Sequence, residues 1–96
     1  MFHNQERVVH MRQAVVTRIV TLSNLQSQIK DLRTNEQLQQ VREWFDDLDS
    51  ILHYLESEQR SPSEEAMLLD AVDIILNNAV RRADDLQKLC ERVVQA

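Results

Sequence analysis

Ninety-six residues with a formal net charge of −5 and 43% apolar content suit one globular domain and are too apolar for intrinsic disorder. The chain has no glycine and one proline, Pro62, which excludes the two-residue hairpins, phosphate-gripping loops and dinucleotide-binding turns that rely on φ > 0. No apolar run approaches the ~18 residues of a bilayer span, and residues 1–6 lack the basic-then-apolar layout of a secretory leader.

Residues 5–33 carry helical periodicity. Val8, Met11, Val15, Leu22, Leu25, Ile29 and Leu32 recur at three- and four-residue steps, with Ile19 at the edge of the stripe. A shorter stripe of Val9, Val16 and Val20 points to roughly the opposite side. A helix apolar on two sides is either sandwiched inside a fold or offers its far side to another chain. Thr34-Asn35-Glu36-Gln37 has the spacing of a capping box, so a turn is expected at 33–35. The rival is one rod running from about 5 to 60.

Over residues 36–60, Leu38, Val41, Phe45, Leu48, Leu52 and Leu55 alternate three and four apart, the spacing of a packed helical seam. Trp44 and Ile51 widen one edge, and Arg42, Glu43, Asp46, Asp47, Asp49 and Glu58 take the exposed side. Ser61-Pro62-Ser63-Glu64 then combines an N-cap, a first-turn proline and a box glutamate, so a third helix starts there and runs to about 94. Its expected stripe is Leu68, Val72, Ile75, Ala79, Leu86, Leu89 and Val93. Leu69, Leu76, Val80, Ala83, Cys90 and Val94 broaden it to about half the circumference. Three helices of this length with short links run up, down, up, so the expected fold is an all-α antiparallel three-helix bundle covering residues 1–96 as one domain.

The charge is unevenly spread. Residues 1–33 hold five basic against two acidic side chains, residues 34–73 two against eleven, and residues 74–96 four against three. The simplest expectation is a basic first helix lying against an acidic second one. The sharper one is an acidic surface that receives a basic partner. Duplex nucleic acid is a poor partner for such a chain, because binding it needs a concentrated positive surface. Arg18 and Arg82 each fall inside the expected apolar stripe of their helix, where an arginine must snorkel outward or meet an acid. On the expected turns Arg18 lies level with Asp47 and Asp49. A partner chain is the alternative source of an acid for both arginines.

Catalytic and metal chemistry find little support. His53 has Asp49 and Glu56 on the same helical strip, yet a metal site in a bundle draws ligands from facing helices. His3 stands alone, and Cys90 has no Cys-x-x-Cys companion and reads as a small core residue. Its solitary thiol suits a reducing, cytoplasmic setting. His10 invites comparison with histidine phosphotransfer domains, which are also helical bundles. Its surroundings, His10-Met11-Arg12-Gln13-Ala14, lack the lysine and glycine of their acceptor motif. No nucleophile elbow is present.

The expected function is therefore a non-enzymatic protein-binding module: a small acidic adaptor, chaperone or inhibitor that engages a partner protein through an apolar helix face. Small helical chaperones of bacterial secretion and flagellar systems are similar in size, charge and helix content, a likeness of composition only. The residues proposed to bind the partner are Val9, Val16, Val20, Trp44, Tyr54, Arg18 and Arg82. No cofactor, metal, membrane, nucleic acid or small-molecule substrate is expected. The alternative is a coiled-coil or spectrin-like scaffold subunit acting through self-association as a homodimer, although spectrin repeats place their tryptophan in the first helix and Trp44 lies in the second.

Overall fold

The protein is an antiparallel bundle of three helices, seen in a computed structural model that describes residues 2–57 and 60–95, with side-chain surroundings for 5–57 and 60–92. His3, Glu58, Val93 and Val94 fall outside the latter. The helices are α1 (Phe2–Gln28), α2 (Leu32–Ser57) and α3 (Pro62–Gln95). At 1.5 Å per residue, the 34 residues of α3 account for the longest dimension of the bundle, 51 Å. All three helices touch one another.

The core follows the three- and four-residue steps of each helix. From α1 come Val8, Met11, Val15 and Leu22, with Ile19 and Leu25 packed at the margin, and Ile29 joins them from the turn that follows. From α2 come Leu38, Val41, Phe45, Leu48, Leu52 and Leu55, all buried as the seam spacing requires. Among the described residues Phe45 is the sole aromatic ring in this mainly aliphatic core. Leu32 departs from the expected stripe: it opens α2 instead of closing α1, and it is largely solvent-exposed.

α3 departs in phase. Its buried residues are Val72, Ala79 and Leu86 of the expected stripe together with Leu69, Leu76, Ala83 and Cys90 of the series expected only to broaden it. Leu68, Ile75 and Leu89, expected at its centre, are half-exposed. Arg82 shares their side, which is why it is exposed instead of buried. The choice between the two columns follows from charge. A column containing Arg82 cannot enter an apolar core without the cost of desolvating a guanidinium, whereas the column through Ala83 can.

The first turn also lies earlier than expected, at residues 29–31 instead of 33–35. Asp31 is the N-cap. Its carboxylate accepts from the Thr34 backbone N–H at 3.0 Å and from the Thr34 hydroxyl at 2.6 Å, and those bonds hold its pKa below the ordinary 3.8. Thr34 is thus a buried residue of the first turn, not the cap. Where α1 ends, a glycine in the left-handed region is the usual stop, yet no described residue has positive φ. Asn35 supplies the missing partners. Its side-chain amide donates to the carbonyls of Gln26 at 2.8 Å and Ile29 at 2.9 Å, two of the last acceptors of α1. The second turn behaves as its sequence predicts: Ser61 Oγ accepts from the Glu64 N–H at 3.3 Å, and Pro62 opens α3.

Candidate functional site

Side chains on α1 identify which flank of each helix faces which neighbour. Arg7 pairs with Asp70 of α3 at 2.8 Å, with Asp73 further off at 4.0 Å. Arg18 pairs with Asp84 of α3 at 2.6 Å. Arg12 bonds Asp49 of α2 at 3.2 Å and also reaches Glu56 of α2. These bonds raise the Arg12 pKa further, chiefly through Asp49. Nearer the first turn, Arg42 of α2 donates to Gln26 Oε1 at 2.8 Å and to Ser23 Oγ at 3.3 Å, while Gln26 donates to Gln39 Oε1 at 2.9 Å.

The pairing differs from the expected one. Arg18 meets Asp84 of α3, not Asp47 or Asp49 of α2, because it sits on the α3-facing flank of α1; Asp49 is taken by Arg12. The basic character of α1 is answered by α2 and α3 together, not by α2 alone. Each of these cross-helix polar contacts has one partner on α1. Half-exposed pairs of this kind contribute ~0–1 kcal/mol each, so their main effect is to orient α1 within an assembly held by its core.

With those flanks fixed, the three outer faces of the bundle have different chemistry. The α1–α3 face is charged, lined by the Arg7 and Arg18 pairs. On the α1–α2 face Val9, Val16 and Val20 are exposed on α1. Val9 and Val16 help to line a shallow groove whose other walls are Arg12, Gln13, Thr17 and Glu56. That valine stripe is thus available to a partner, but polar groups surround it.

The third face, between α2 and α3, is apolar. On α2, Trp44, Ile51 and Tyr54 lie away from the flank that meets α1. On α3, Leu68, Ile75 and Leu89 lie on the flank opposite Asp70, Asp73 and Asp84, and Met67 and Ile74 extend the apolar surface outward. Of the twelve large apolar residues that are exposed, eight gather here. At its edge the Arg60 guanidinium stacks on the Tyr54 ring, 4.5 Å from its centroid. Arg82 stands in the same column as Leu68, Ile75 and Leu89, and it has no ion-pair partner among the described residues.

Of the seven residues singled out from sequence, the structure brings Trp44, Tyr54 and Arg82 to the α2–α3 face. It leaves Val9, Val16 and Val20 on the α1–α2 face and uses Arg18 within the chain. Sequence reasoning missed the α3 half of the apolar face, because it assigned Leu68, Ile75 and Leu89 to the core. Cys90 is fully buried, and burial raises its thiol pKa. Among the described residues no group of three or more histidine, cysteine or acidic side chains is placed to hold a metal ion. No helix among them is long and apolar enough to cross a membrane. The chain matches no protein-family model, and no curated protein or solved structure is detectably similar to it.

Proposed function

We propose that this protein is a non-catalytic protein–protein interaction module, a small acidic adaptor, chaperone or inhibitor that works through apolar helix faces. One observation carries the reading: large apolar side chains cluster on one outer face of a bundle that already has its own core. Singly scattered surface apolar residues need no explanation, but contiguous patches mark binding sites. Trp44 and Tyr54 belong to the residue types that carry most binding energy at interfaces. A second reading, a scaffold subunit acting through self-association, draws on the same face. A buried, solitary Cys90 suits work in the reducing cytoplasm.

The test is capture from the native host with three baits: the wild type, Val16→Glu and Ile75→Glu. Both substituted residues are about half exposed, so each variant is expected to keep the helical circular dichroism of the wild type. The reading expects at least one protein, foreign or self, held by the wild type and lost with one variant. An identical set of captured proteins on all three baits defeats it.

A further inference from the structure

We propose that the α2–α3 face docks a second copy of this chain, forming a dimer whose twofold axis runs along the bundle. The proposal rests on the reading of that face as a binding surface and names its occupant. The first argument is area. The fractional exposures of the eight apolar residues amount to about four fully exposed side chains. At roughly 200 Å² for a large side chain, they present ~800 Å², the share that each partner buries in an interface of standard size.

The second argument is self-complementarity. α2 and α3 are antiparallel and joined by a short link, so positions earlier in α2 lie level with positions later in α3. A twofold axis along the bundle lays α2 of one copy over α3 of the other at the same height. On the register that the α1 pairs set, Ile51 then rests beside Ile74 and Ile75 of the second α3, and Glu43 and Trp44 come level with Arg82.

Charge selects this axis over the alternative. The outer side of α2 carries Glu36, Glu43 and Asp47, all exposed, while Arg82 stands exposed on α3. An axis running across the helices would stack α2 on α2 and bring these acids together. The longitudinal axis instead brings Arg82 level with Glu43 of the second copy and so supplies an acid to a guanidinium that has no ion-pair partner among the described residues of its own chain. Opposite charges placed in this way fix register and suppress wrong pairings.

Sedimentation equilibrium over roughly 1 µM to 1 mM tests the proposal. Emission from Trp44, the single tryptophan, reports on the face itself. The wild type should dimerise, with Trp44 emission shifting to the blue as concentration rises. Ile75→Glu should weaken association by ~100-fold or more while keeping its helical circular dichroism. Ile74→Glu, at a still more exposed position, should act in the same direction and serves if the first variant misfolds. Arg82→Glu should weaken association by ~10-fold, and adding Glu43→Arg should restore most of it.

A wild type that stays monomeric at the highest concentration overturns the proposal. So does a dimer that Val16→Glu splits and Ile75→Glu leaves intact, or a charge swap that restores nothing. A monomer whose capture of a foreign protein still depends on Ile75 removes the dimer but leaves the interaction module standing. A monomer whose captured proteins are indifferent to Val16 and Ile75 removes both.

Discussion

Asn35→Ala isolates the device that lets a glycine-free chain turn a corner. In the native structure the Asn35 amide donates to two carbonyls at the end of α1, at 2.8 and 2.9 Å, and its own oxygen receives a longer bond of 3.3 Å from Gln26 Nε2. A neutral hydrogen bond contributes ~0.5–1.5 kcal/mol net, so losing the two short bonds costs ~1–3 kcal/mol. Alanine returns up to ~0.7 kcal/mol through its better helix propensity. The site is only partly buried, so water takes over some of the freed carbonyls. The net loss expected is ~1–2 kcal/mol. For a domain of this length that lowers Tm by about 4–16 °C. Thermal unfolding followed by circular dichroism, at one fixed protein concentration, measures it. Asn24→Ala is the control, since the exposed Asn24 side chain lies on α1 without a capping role; it should be neutral or slightly stabilising. If Asn35→Ala melts no lower than the wild type, the side chain is not what stops α1, and the account of the turn is wrong.

Phe45→Ala removes a fully buried aromatic ring from the core and should cost ~3–5 kcal/mol, a large part of the stability of a small domain, read from urea unfolding. Asp31 contributes through a carboxylate whose pKa is lowered in the folded state, so its stabilisation is present above the ordinary value of 3.8 and lost as pH falls through the folded value. The stability difference between the wild type and Asp31→Asn should therefore be flat near neutral pH and shrink below about pH 4; a difference unchanged into strong acid contradicts the cap. Cys90, buried and with its pKa raised, should react with a thiol reagent at least ~100-fold more slowly than in urea-unfolded protein, because reaction awaits opening of the core. Immediate stoichiometric labelling would place Cys90 outside the core.

The sequence made α2 legible because a single column of large apolar residues leaves one choice of seam, and Phe45, Leu48 and Leu52 take it. The start of α3 was legible because Ser61 and Pro62 act within one turn. Two features were not. The first turn offers two overlapping signals, Asp31 three before Thr34 and Thr34 three before Gln37. The choice falls to Asn35 reaching back to α1, a contact that local spacing does not encode. On α3, two adjacent columns are both apolar, and hydrophobic periodicity alone cannot rank them. Arg82 could have done so, since it excludes its own column from the core. Once that phase is set, the α2–α3 face follows, because Leu68, Ile75 and Leu89 then stand beside Trp44 and Ile51.

The division of labour among the seams means that one solvent variable acts on them in opposite senses. Sodium sulfate screens the guanidinium–carboxylate contacts that orient α1 and at the same time drives oily surfaces closer together. Concentrated sulfate therefore loosens the charged steering of the first helix while tightening the apolar core that all three helices share. Chilling does the reverse, since it weakens apolar cohesion and leaves the charged contacts in place.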